Sequence, residues 1–464
     1  MSLSEPQLSM KSFATFFKAT LFFLTALLAG AVFSGASDSW GMPRSAAITL
    51  VILTIAAGLW VTEAIPLFVT SFIILFLSLT WLLPHMEPGT SRSLFLAPFF
   101  SDIILLFLGG FVLSTALHKY QLDEQMARWI IRRTGSSLPR LMLGIMLITA
   151  FLSMFLSNTA TAAMMLALVL PIVRDLPPDH PARKALILAV PFAANAGGLG
   201  TPVGSPPNAI AMEYMRDLGV APTFGKWMLL GVPGVIIVVL LAWLILLIPA
   251  RGKSPLGKLE CERLKLTWNK QIIFVLATTL VTVLGWLTQS THGWSTGTVA
   301  LIPFILFFGL RILNIRDLRS LSWDVLLLMG GGLCLGTAIS ASGLATWIIA
   351  FLPSNVLSLY PATIIFAISA CLMSCLMSNT ATANLIMPII AGLALDQNAP
   401  VLMATAVACS IAMALPVSTP PNAMAFSSGE IHVTDLLKPG LIVTLISLAI
   451  ALTLGFWWWG VLEL

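Results

Sequence analysis

Ser157-Asn158-Thr159-Ala160-Thr161-Ala162 and Ser378-Asn379-Thr380-Ala381-Thr382-Ala383 are one hexapeptide written twice, each in the middle of an otherwise apolar stretch. Hydroxyls and amides are costly to bury in hydrocarbon, so a duplicated cluster of them reads as a site. What these groups offer is neutral oxygen, which hard cations favour. No Asp or Glu lies in either cluster, so a monovalent ion such as sodium fits better than calcium. In the first copy Ser153, Ser157 and Asn158 can join Gly204, and in the second Ser374, Ser378 and Asn379 can join Ser418. Each set can close one cation cage.

The same segments also suit an anion. Helices expected to begin near Thr159, Pro206, Thr380 and Pro420 present free amides and positive dipole ends to a carboxylate or phosphate. No Lys or Arg lies in these clusters. Anion recognition would depend on dipoles, hydroxyls and bound cations, which makes the two kinds of binding interdependent. An isolated Ser or Thr in a membrane helix more often bonds back to the preceding turn or joins two helices; duplication beside helix breaks favours the site. Gly109-Gly110 and Gly330-Gly331-Gly332 read as close-packing surfaces. Asp102 and Asp324 read as complements to the dipoles of the helices they open. Glu63 reads as an end-of-helix group or a gate.

The elements that must position these residues are membrane spans. With 58% hydrophobic and only 9% charged residues among 464, and a mean hydropathy of +0.97, the chain is a polytopic membrane protein of the all-α class. Its basic residues fall in short loops, which is a topology signal and not a nucleic-acid-binding face. The five cysteines form no CxxC pair, and no histidine has a metal-ligand partner at helical spacing, so a zinc site is not expected. Apolar runs give eleven crossings, near 16–35, 46–62, 65–83, 101–118, 185–218, 227–249, 271–289, 297–311, 323–341, 401–428 and 438–460. The segments 139–174 and 361–396 remain, each with a hexapeptide at its centre. The apolar runs 141–156 and 160–173 reach only ~21–24 Å against a hydrocarbon core of ~30 Å, which predicts a re-entrant hairpin with its polar tip near the midplane.

The repetition runs further. The stretch from Asp102 through Gly109-Gly110 to Ala116 matches that from Asp324 through Gly331-Gly332 to Ala338, and Ser205-Pro206-Pro207-Asn208 matches Thr419-Pro420-Pro421-Asn422. The halves are 46–250 and 271–464, with 1–45 as an additional N-terminal helix and 251–270 as a cytoplasmic linker. Counting from the helix at 101–118 to its mate at 323–341 passes an odd number of crossings, so the second repeat is expected to be inverted. The Pro-Pro pairs interrupt what should be the broken helices 185–218 and 401–428, because proline removes an amide donor and clashes with the preceding turn. Placing the N-terminus in the cytoplasm puts twenty of the 24 Lys and Arg inside and only Arg44, Arg92, Arg216 and Lys226 outside, with the C-terminus periplasmic or extracellular. The first apolar run, preceded by Lys11 and Lys18 and followed by Ser34-Gly35-Ala36-Ser37, also has the form of a signal peptide.

The paired Ser-Asn-Thr motifs, the paired Pro-Pro-Asn breaks and Thr62-Glu63-Ala64-Ile65-Pro66 together resemble the divalent anion:sodium symporter family over nearly the whole chain. The resemblance implies co-transport of at least two sodium ions with dicarboxylates such as succinate, malate and fumarate, or with citrate or sulfate in some branches. It implies sodium ligands at Ser153, Ser157, Asn158 and Gly204 in one site, and at Ser374, Ser378, Asn379 and Ser418 in the other. It further implies carboxylate contacts from Asn158, Thr159, Ser205 and Pro206, and from Asn379, Thr380, Thr419 and Pro420. A homodimer in the inner (plasma) membrane, working as an elevator, follows from the same resemblance. Three classes compete: a sodium-coupled symporter, an exchanger of the same fold, and an intramembrane hydrolase or channel. The enzyme is the poorest fit, since no Ser or Cys at membrane depth has a His or Asp at an activating spacing.

Overall fold

The computed structural model describes residues 30–32, 41–135, 137–250, 268–350, 358–393 and 397–464. The expected helix at 16–35 lies outside the described residues but for its last turn, as does the expected linker but for 268–270. Every regular element among the described residues is helical. In the first half the main ones are α1 (Arg44–Thr62), α2 (Leu67–Leu77), α3 (Asp102–Lys119), α4 (Leu122–Thr134), α5 (Leu138–Ser153), α6 (Asn158–Arg174), α7 (Ala182–Gly198), α8 (Pro206–Asp217) and α9 (Phe224–Leu247). In the second half the main ones are α10 (Lys270–Leu287), α11 (Thr296–Gly309), α12 (Trp323–Ala341), α13 (Leu344–Ile349), α14 (Leu359–Leu376), α15 (Asn379–Gly392), α16 (Asn398–Ile411), α17 (Pro420–Ser427) and α18 (Val433–Ile450).

Eight helices, some continued by short π or 3-10 turns, are long and apolar enough to cross a membrane: Arg44–Thr62, Leu67–His85, Ser93–Lys119, Phe224–Leu247, Lys270–Leu287, Trp323–Ala341, Leu359–Leu376 and Val433–Val461. Seven of them match expected spans. The differences from eleven have separate causes. Residues 185–218 and 401–428 divide into α7 with α8 and α16 with α17, none of which reaches that length. The span expected at 297–311 is α11, only 14 residues long. Conversely α14, the first arm of the second hairpin, has 18 residues and measures ~27 Å at 1.5 Å per residue, so arm length alone does not distinguish this hairpin from a crossing. Residues 122–134, expected as part of a basic loop, form amphipathic α4: Leu122, Ala127 and Ile131 are buried, while Arg132 and Arg133 face out.

The halves interlock through matched pairings. Hairpin arm α5 packs on α7 as α14 packs on α16, and α6 and α15 pack on those same partners. Between halves, α3 lies on α11 as α12 lies on α2. The glycines expected to permit close packing do so at equivalent places. A Cβ on Gly109 would lie 2.5 Å from the Ala300 carbonyl oxygen on α11, and one on Gly331 would lie 2.1 Å from Ser71 Cβ on α2. The short helix after each break crosses to the other half: α8 packs on α15 and α16, and α17 on α6 and α7. That exchange brings the four polar segments of the chain together.

Candidate functional site

A cavity of about 720 Å³ opens where the hairpin tips meet the breaks, a volume typical of small-molecule sites. Ser157, Asn158, Thr159, Gly204, Ser205 and Pro206 line it from the first half, and Ser378, Asn379, Thr380, Ser418, Thr419 and Pro420 from the second. Twelve of the fourteen residues singled out from sequence therefore share one wall. The other two, Ser153 and Ser374, lie fully buried just behind it. Phe68, Phe107, Phe111 and Leu328 supply apolar surface, and Glu63 and Asp324 supply carboxylates. No Lys, Arg or His is among the lining residues.

The hairpin serines make the same contacts twice. Ser153 Oγ donates to Asn158 Oδ1 at 2.5 Å and is 2.8 Å from the Ala194 carbonyl oxygen. Ser374 Oγ donates to Asn379 Oδ1 at 2.6 Å and is 2.9 Å from the Cys409 carbonyl oxygen. A hydroxyl has one hydrogen, so in each copy several oxygens crowd around a single proton. A cation among such oxygens would relieve the crowding by accepting their lone pairs. At the tips, Ser157 and Ser378 stand at the N-cap positions of α6 and α15, yet neither side chain caps its helix. The first amides of both helices are thereby left open toward the cavity side.

The breaks are held open by paired asparagines. Asn208 Nδ2 donates to the Gly198 and Thr201 carbonyls, both at 2.8 Å. Asn422 Nδ2 does the same for Met413 and Leu415, both at 3.0 Å. These carbonyls lie at or beyond the ends of α7 and α16, where no continuing helix supplies an i+4 amide. Gly204 is required by crowding: a Cβ there would lie 2.6 Å from the Gly198 carbonyl oxygen. Ser418 closes a 3-10 turn, its hydroxyl 2.7 Å from the Leu415 carbonyl.

Glu63 ends α1 with a positive φ of 45° and borders the cavity, in keeping with either expected role. Asp102, by contrast, does more than complement a dipole. It pairs with Arg216 of α8 at 3.0 Å and receives bonds from Ser295, Thr296 and the Gly297 amide. Sequence reasoning missed Asn195 on the cavity wall, since the repeat does not preserve it. It also missed the Ala194 and Cys409 carbonyls, which no residue type announces.

Residues 57–401 match the model of the CitMHS family, described as citrate transporter. The chain is 35% identical over 461 residues to the sodium-dependent dicarboxylate transporter SdcS of Staphylococcus aureus strain USA300, covering 90% of this chain and 86% of that one. SdcS of Staphylococcus saprophyticus is likewise 35% identical, with 87% and 83% covered. Among solved structures, the YdaH transporter of Alcanivorax borkumensis aligns over 80% of this chain and 87% of its own, with a TM-score of 0.53 at 15% identity, a likeness of fold.

Proposed function

Since this chain belongs to the CitMHS citrate transporter family and is a multi-pass membrane transporter and not an enzyme, we propose that it carries C4-dicarboxylates such as succinate, malate and fumarate into the cell together with sodium. The observation that carries this reading is a cavity edged by four helix starts and by no cationic side chain. Helix N-termini favour carboxylates, but four partial charges in a wall that also holds Glu63 and Asp324 do not neutralise a dianion. Bound cations supply the difference. Sodium then sits on Ser153, Ser157, Asn158 and Gly204, and a second ion on Ser374, Ser378, Asn379 and Ser418. One carboxylate meets Asn158, Thr159, Ser205 and Pro206, and the other Asn379, Thr380, Thr419 and Pro420.

In this reading the repeats are inverted, the N-terminus is cytoplasmic and the C-terminus lies outside. A homodimer in the plasma membrane moves the cavity across as an elevator. The sodium-dependent dicarboxylate name of the relatives supports coupling, and the family description supports citrate as a second substrate. Uptake of labelled succinate by proteoliposomes tests it. An imposed inward sodium gradient should accelerate uptake severalfold; indifference to sodium would overturn coupling, and counterflow without sodium would favour an exchanger.

A further inference from the structure

Asn195 is the one polar residue of the cavity wall on α7, and it is 2% exposed. Its Nδ2 donates across the halves, to Thr419 Oγ1 at 3.1 Å and Asn422 Oδ1 at 3.2 Å. The corresponding position of the second half is Ser410, for each follows the residue, Ala194 or Cys409, whose carbonyl faces the hairpin serine. Ser410 also reaches across, its Oγ 3.1 Å from Ser205 Oγ. The bridge is thus built twice, with a long side chain in one direction and a short one in the other. The cost of the short one is visible: Asn422 Oδ1 has its donor, whereas Asn208 Oδ1, its counterpart, is buried with no partner among the described residues.

The two bridges leave their hydroxyls in different states. Thr419 Oγ1 accepts from Asn195 Nδ2 and also from the Asn422 amide at 3.3 Å. Both lone pairs are engaged, so the remaining hydrogen of Thr419 is left to donate toward the cavity that it lines. Among the described residues the Ser205 hydroxyl bonds only to the Ser410 hydroxyl, and either oxygen can be the donor. We propose that Asn195 is a positioning residue that makes Thr419 an obligate hydrogen-bond donor to the substrate carboxylate, while the Ser410–Ser205 bridge leaves the opposite half-site adjustable. This rests on the reading of Thr419 and Ser205 as substrate contacts given above.

Asn195→Ser, Ser410→Asn and the double swap N195S/S410N separate the possibilities. In ligand-free purified protein, Ser410→Asn should raise the unfolding midpoint by supplying the donor that Asn208 Oδ1 lacks, and Asn195→Ser should lower it by orphaning Asn422 Oδ1. An unchanged or lower midpoint for Ser410→Asn would overturn the equivalence of the two positions. In proteoliposomes, Asn195→Ser should raise the KM for succinate about tenfold, the scale of one lost oriented hydrogen bond, with the maximal rate per folded transporter retained. The double swap, which restores a long bridge on the opposite side, should recover most of that KM. A fall in maximal rate alone, or an unchanged KM, would reduce Asn195 to a packing residue. Absence of succinate uptake in the parent protein would overturn the proposed substrate instead, and the unfolding midpoints would still decide whether the bridge exists.

Discussion

Asn158 accepts from Ser153 at 2.5 Å while standing first in α6, and Asn379 repeats this with Ser374 at 2.6 Å in α15. Under the proposed function each therefore joins a cation cage to an anion-facing helix start. Asn158→Ala and Asn379→Ala should each abolish sodium-dependent succinate uptake, because one substitution removes a cation oxygen and a substrate contact together. Uptake with parental sodium dependence in either variant would refute the assignment. At this scale the sequence was readable wherever the two halves repeat, as at Ser157 and Ser378. It was silent where they differ: Asn195 and Ser410 occupy equivalent positions but are different residue types, and the bridges they make to Thr419 and Ser205 exist only in three dimensions. The carbonyls of Ala194 and Cys409 were hidden for another reason, since every residue has one.

The first hairpin is clamped by close backbone contact, and the clamp is open to test. A Cβ on Gly197 of α7 would lie 2.3 Å from the Ala150 carbonyl oxygen of α5, and backbone cannot rotate away as a side chain can. Gly197→Ala should therefore destabilise by at least ~1–3 kcal/mol, the usual cost of overpacking, and lower the thermal midpoint and folded yield. Gly225→Ala, where the nearest atom would lie 3.8 Å away, should leave both nearly unchanged. Among elements, the breaks were legible because Pro206-Pro207 and Pro420-Pro421 forbid a continuous helix, and most spans because hydropathy alone specifies them. Helix α4 was missed because its five Asp, Glu and Arg residues make its composition read as a solvated loop, whereas its apolar residues pack at helical spacing. The crossing at 297–311 was overextended because Leu310 continues the apolar run past Gly309, where α11 stops.

The two halves are also joined at the molecule's periphery. Glu430, in the loop between α17 and α18, accepts from Arg183 of α7 at 2.6 Å and lies 3.6 Å from Arg174. The Arg183 hydrogen bond holds the Glu430 carboxyl below the usual carboxylate range. A depressed native pKa contributes stability that is fully present above the unfolded value of ~4.3 and is lost as pH falls through the native value. Glu430→Gln should accordingly lower thermal stability in detergent at pH 7 to 8 and flatten the acid limb, so that variant and parent converge at low pH; an acid limb identical to the parent's would remove Glu430 from that role. Interlocking of the halves was foreseeable only in outline, because a repeat in sequence does not say that the helix after each break will pack on the opposite hairpin. The cavity formed by that exchange carries Glu63 and Asp324 and no fixed positive side chain. A dianion arriving alone meets only repulsion and partial dipoles, so under the proposed function the ions load first and the anion follows. Selectivity is then kept in a sequence of events: when sodium is scarce on one side the carrier has nothing to hold its cargo with, and the cell's dicarboxylate pool cannot drain out through it.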